Sequence, residues 1–122
     1  MRLLVIDDDP LQLELIERAL SRDGFELCCV SSVDKVEAEA RRFEPEVALV
    51  DVNMPDVEPG HVLAAVRRVS RARVVLYSAW ERSKLRALAE QFGADGFISK
   101  DESVFSIGQR LRELNRGNDG AK

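Results

Sequence analysis

Five short apolar runs alternate along this chain with five longer segments of helical periodicity, and most of the runs close on a polar residue. Runs this short and this apolar suit strands buried on both faces. Parallel strands need a crossover between them, so strict alternation of strand and helix specifies a parallel sheet covered by helices on both sides. For 122 residues the common solution is one doubly wound α/β sheet of five strands in the order 2-1-3-4-5. Its switch point lies between strands 1 and 3, and ligands of such sheets bind outside the carboxyl edge.

The expected strands are Leu3–Ile6, Phe25–Val30, Val47–Val50 running into Asp51, Arg73–Tyr77 and Phe97–Ser99. Asp9 as N-cap, Pro10 at the first helical position and Gln12 at the third open helix 1. Leu11, Leu13, Leu15, Ile16, Ala19 and Leu20 give it a broad apolar face, and Gly24 suits a left-handed cap. Ser31-Ser32 offers an N-cap to helix 2, with Val33, Val36, Ala40 and Phe43 on one face and Pro45 as its stop. A loop from Asp56 to Gly60 precedes helix 3, which carries Val62, Leu63, Val66 and Val69. Leu85, Leu88, Ala89 and Phe92 mark helix 4, closed by Gly93; Val104, Ile107, Leu111 and Leu114 mark helix 5. The domain is expected to span residues 1–117, with 118–122 a short, disordered polar tail.

Composition excludes several classes. The chain is 45% hydrophobic and 33% charged, an ordinary globular balance, and its net charge of −4 lacks the basic footprint of a nucleic-acid binder. The apolar residues before Asp7 are too few for a signal-peptide core or a membrane span, which points to a cytoplasmic protein that makes no use of membrane. Adjacent Cys28 and Cys29 sit in a strand, so they should face opposite sides of the sheet as reduced thiols.

The topology draws the chemistry together. Asp7 and Asp8 leave strand 1 and Asp51 leaves strand 3, so three carboxylates converge beside the switch point. Such a cluster must take up protons or share a cation, and oxygen-only donors favour a hard ion such as magnesium over zinc. His61 lies beyond the loop and reads as a solvent-facing helix residue. Ser78 ends strand 4 and Lys100 ends strand 5, on the same edge as Asp51. A hydroxyl and an ammonium beside a metal-bound aspartate make a receptor for a phosphoryl group, towards which an aspartate can act as nucleophile.

Four segments, Val5-Ile6-Asp7-Asp8, Asp51-Val-Asn53-Met54-Pro55, Ser78-Ala79 and Phe97-Ile-Ser-Lys100, stand in order at the ends of strands 1, 3, 4 and 5. In them the chain resembles the receiver domain of two-component response regulators, the chemotaxis-regulator-like, flavodoxin-like (βα)5 fold, over essentially its whole length. The resemblance implies that Asp51 is the phosphoacceptor. It implies that Asp7, Asp8, Asp51 and the backbone carbonyl of Asn53 hold magnesium, with manganese as a substitute. Ser78, the Ala79 backbone and Lys100 would bind the phosphoryl group, Ser78 and Phe97 would form the switch, and Asn53 and Trp80 would control water access. A histidine kinase or phosphotransfer protein would be the donor. A downstream protein or effector domain would read the face of helix 4, strand 5 and helix 5. Mixed charges on helices 4 and 5 suit a homodimer or another partner.

The chain departs from the family pattern in three places. Four residues, Asp56 to Pro59, stand between Met54-Pro55 and Gly60 where three are usual. Lys100 is followed by Asp101 rather than proline, so that bond should be either trans with a shifted lysine or cis at a cost of about 3 kcal/mol. Trp80 stands two residues after Ser78, where a bulky ring should hinder the hydrolytic water and prolong the phosphorylated state. Two other functions fit less well. An interaction module that signals without phosphorylation would normally have lost part of the acidic pair, the acceptor or the lysine. A phosphatase with Asp7 as nucleophile and Asp9 as acid would need a substrate cap, for which there is no room.

Overall fold

The computed structural model describes residues 1–120, with side chains described through Arg116. The elements are β1 (Arg2–Ile6), α1 (Pro10–Ser21), β2 (Glu26–Val30), α2 (Val36–Phe43), β3 (Val47–Asp51), α3 (Pro59–Val69), β4 (Arg73–Ser78), α4 (Arg82–Phe92), β5 (Gly96–Ser99) and α5 (Val104–Gly120). The expected tail over 118–122 lies outside the described side chains, and its last two residues lie outside the described backbone.

All five strands are parallel, in the order β2-β1-β3-β4-β5. This is the doubly wound sheet that the alternation specifies. Every residue of β3 is buried, as befits the central strand of a sheet covered on both faces.

The pleat divides the core in two. Leu4, Ile6, Ala48, Val50, Val74 and Leu76 pack with α2, α3 and α4, while Leu3, Val5, Val47, Leu49, Val75 and Ile98 pack with α1 and α5. Successive strand residues point to opposite faces, so Cys28 joins the first cluster and Cys29 the second. Each fully buried Leu or Ile contributes about 1.5–3 kcal/mol.

Local signals place most boundaries within a residue or two. Asp9 caps α1 through a 3.0 Å bond from the Leu11 N–H to its carboxylate, with Pro10 at the first position. Glu44, in the left-handed conformation at φ 52°, ends α2 just before Pro45. Gly93 does the same for α4 at φ 67°.

Four details differ from the sequence reading. Gln12 does not close a capping box: the Asp9 N–H is taken by Asp7 Oδ1 at 2.9 Å, and the Gln12 amide points elsewhere. Ser32 is extended but makes no side-chain cap, because a short 3-10 turn over Val33–Lys35 intervenes before α2. Helix α3 begins at Pro59 rather than beyond Gly60, since proline is pre-shaped for a first turn. A Cβ at Gly60 would stand 2.8 Å from Phe92 Cε1, so any larger residue there has to displace that ring. Finally, Leu11 and Leu15 of α1 are 71% and 55% exposed. The apolar face of α1 is wider than its contact with the sheet and α5, which covers Ile16 and Leu20.

Candidate functional site

The site is built at the carboxyl edge, where strand parity and topology act together. Asp7 continues the face of Leu3 and Val5, Asp51 that of Val47 and Leu49, Tyr77 that of Val75, and Lys100 that of Ile98. Four polar side chains from β1, β3, β4 and β5 therefore meet on the α1/α5 side. Ser78 and Phe97 continue the opposite face, next to Leu76, which pairs with Phe97.

Carboxylate oxygens of Asp7, Asp8 and Asp51 lie within 4.8 Å of one another. Asp7 and Asp51 are buried, at 1% and 4% exposure, and Asp8 faces solvent. Two buried carboxylates with an open third make an oxygen-donor set that could hold a hard divalent ion with water in its remaining positions. Burial raises the Asp7 carboxyl above the usual range, and the charge of Asp51 adds to this; the Asp9 N–H and Lys100 oppose it.

Lys100 Nζ lies 3.4 Å from Asp7 Oδ2 and 3.5 Å from Asp51 Oδ1. No cis peptide bond occurs among the described residues, so Lys100-Asp101 is trans and the lysine still reaches both carboxylates. The turn is held without proline. The Lys100 N–H donates to the Ser78 carbonyl at 2.7 Å, Asp101 N–H to Ser99 Oγ at 3.1 Å, and Ser99 N–H to Glu102 Oε2 at 3.3 Å.

Asp51 Oδ1 also accepts the Asn53 N–H at 3.0 Å, which fixes the carboxylate and folds the chain back over it. The turn that follows puts Pro55 second and Asp56 third at φ 60°, and its Val57 N–H donates to the Met54 carbonyl at 3.3 Å. Ser78 is fully buried, and its Oγ accepts the Trp80 N–H at 3.1 Å. Ala79 and Trp80 lie exposed beyond it, and His61 is exposed on α3. Phe97 is half-buried, under the Arg86 guanidinium at 5.9 Å. The Phe97 carbonyl accepts from Arg110, which also pairs with Glu102 at 2.6 Å. Arg82 of α4 reaches the same Glu102 at 3.5 Å, so part of the mixed charge on this face is satisfied within the chain.

Three neighbours of the site were not legible as such in the sequence. Tyr77 pairs in register with Asp51, and its hydroxyl accepts from Gln12 Nε2 at 2.9 Å. Glu102 organises the β5–α5 turn. The one available signal was the position of Tyr77, immediately before Ser78 at a strand end.

A sheet of this topology, with carboxylates from β1 and β3 and a lysine from β5 on one edge, defines a class. The family model of the response regulator receiver domain matches residues 3–112, and the chain belongs to that family. It is 35% identical to the probable transcriptional regulatory protein NarL of Mycobacterium tuberculosis, over 98% of this chain and 56% of that protein. It is 31% identical to the probable transcriptional regulatory protein TcrX of the same organism, over 93% of this chain and 49% of that protein. The chain thus spans about half the length of these curated relatives. The solved signal receiver domain of NarL from M. tuberculosis overlays at a TM-score of 0.81 and 33% identity, covering 95% of this chain and 96% of that one. A CheY-like receiver domain protein from Methanospirillum hungatei shares the fold at a TM-score of 0.82 and 20% identity, covering 99% and 98%. No described helix is long and apolar enough to cross a membrane.

Proposed function

We propose that this receiver domain accepts a phosphoryl group on Asp51 from a histidine kinase, a phosphotransfer protein or a small acyl phosphate. The observation that carries the reading is the position of Lys100 Nζ, 3.4 Å from Asp7 and 3.5 Å from Asp51. One cation from the end of β5 thus serves carboxylates from β1 and β3. A carboxylate oxygen of Asp51 attacks phosphorus, and the bond from phosphorus to the donor breaks, its electron pair leaving with the donor.

Asp7, Asp8, Asp51 and the Asn53 carbonyl would hold magnesium, or manganese in its place, and a set of oxygen donors buried on one side and open to water on the other fits such an ion. When bound, it supplies positive charge against the phosphoryl oxygens. Lys100 neutralises another oxygen through a charge-assisted bond. The Ser78 hydroxyl, whose oxygen accepts from Trp80, keeps its own proton to donate, and the Ala79 backbone is at hand to assist.

Rearrangement of Ser78 is then passed to Phe97 and the α4, β5 and α5 face, which a downstream protein, an effector domain or a second copy reads. Asn53 and Trp80 flank the approach of hydrolytic water. The decisive experiment is incubation with acetyl phosphate and magnesium followed by intact mass. One phosphoryl adduct is expected in the wild type and none in Asp51→Asn; an unlabelled wild type would overturn the reading.

A further inference from the structure

Lys100 must cross the end of β4 to reach Asp51, because β4 lies between β3 and β5 in the sheet. A lysine stem is flexible, and the residue after it is Asp101, so no proline ring constrains the backbone. Beneath the crossing lies Tyr77. The Lys100 ammonium stands over its ring, 5.2 Å from the centroid and within the range of cation–π attraction.

The ring is itself fixed. It is 2% exposed, packs in the α1/α5 cluster, and its hydroxyl is held by Gln12 Nε2 from the first turn of α1. Burial, and after it the charge of Asp7, push that hydroxyl up to about 12, so the ring remains neutral.

We propose that Tyr77 is a positioning residue for Lys100: its ring, held by Gln12, is a shelf that keeps the ammonium between Asp7 and Asp51. The proposal rests on the phosphoacceptor reading above and names what holds its lysine in place. A neutral ring suits the task better than another carboxylate would. It attracts the cation through its face but does not compete as an acceptor when phosphoryl oxygens arrive. An aliphatic residue at 77 would leave the stem free to swing away, and the lysine would meet the oxyanion less often in the right place.

The test uses the full chain with acetyl phosphate and magnesium, following adduct formation by intact mass. Tyr77→Leu should slow phosphorylation about tenfold, and Tyr77→Phe, which keeps the ring, should restore it to within about threefold of the wild type. In a Lys100→Met background, Tyr77→Leu should slow it no further, because the two residues act as one unit. A second measurement needs no phosphoryl transfer: the Lys100 ε-methylene protons should resonate upfield in the wild type and Tyr77→Phe, and lose that shift in Tyr77→Leu. Equal rates for the wild type and Tyr77→Leu would overturn the proposal. So would equal slowing in both backgrounds, which marks a merely structural role, or the absence of the upfield shift. A wild type that takes no phosphate overturns the phosphoacceptor reading alone, and the proton shifts still decide whether Tyr77 holds Lys100.

Discussion

Lys100 Nζ lies 3.5 Å from Asp51 Oδ1 although β3 and β5 are not neighbours in the sheet. The lysine spans the end of β4 to make this contact, and it does so from a trans peptide. Proline after the lysine is therefore dispensable here, because backbone bonds to Ser78, Ser99 and Glu102 shape the turn instead. The same contact leaves one lysine to balance two buried carboxylates.

That imbalance has a consequence for stability. Asp7 is raised above the usual carboxyl range mainly by burial, so it favours folding while protonated. Its contribution is fully present below the unfolded value, near pH 4, and is lost as pH rises through the folded value. At neutral pH with a chelator present, Asp7→Asn should therefore melt a few degrees above the wild type. The advantage should shrink towards pH 4 and on adding magnesium; thermal melts across pH check it.

Trp80 should report on ion binding at the proposed metal site. It is the single tryptophan of the chain, and its backbone N–H is bonded to Ser78 Oγ at the site edge. Magnesium should change its fluorescence in the wild type, and at least about tenfold more ion should be needed in Asp8→Ala, which lacks one donor. Identical titrations for the two proteins would count against Asp8 as a ligand.

Trp80 should also slow loss of the phosphoryl group. Trp80 is exposed two residues beyond Ser78, and the proposed function sets its ring against the hydrolytic water. Trp80→Ser is expected to shorten the lifetime of the phosphorylated form about fivefold, about 1 kcal/mol of barrier. Decay of the adduct after removal of donor gives the number, and an unchanged lifetime would dismiss the ring as a shield.

Alkaline stability tests the half-buried Cys29 and the buried Tyr77. Burial pushes the Cys29 thiol up to about 11 and the Tyr77 hydroxyl up to about 12. Both are raised above their unfolded values of about 8.5 and 10, so their contributions hold below those values. They are lost as pH rises through the folded ones. Urea midpoints should fall from about pH 9 upward, and Cys29→Ala should flatten the first part of that fall.

Much of the site was legible because strand ends are legible. An apolar run that closes on Asp7, Asp51, Ser78 or Lys100 announces both a strand and the edge at which it stops, and alternation then fixes which edges coincide. Helix boundaries were readable where one residue decides them, as Asp9, Pro45 and Gly93 do. They were misread where two local signals compete: Ser32 looks like a cap but precedes a 3-10 turn, and Pro59 looks like loop but starts α3.

What the sequence determined by itself was thus the sheet, its strand order and the convergence of the acidic residues, since these follow from periodicity and chain connectivity. Only the tertiary structure decided the partners of side chains. Gln12 satisfies local rules as a capping residue, yet it bonds Tyr77, 65 residues away. Leu11 and Leu15 satisfy the period of a buried face, yet remain exposed where the packing of α1 ends. Periodicity states which way a side chain points along its own element. What waits there depends on distances between elements, and those are set only when the whole sheet and its helices close around one core.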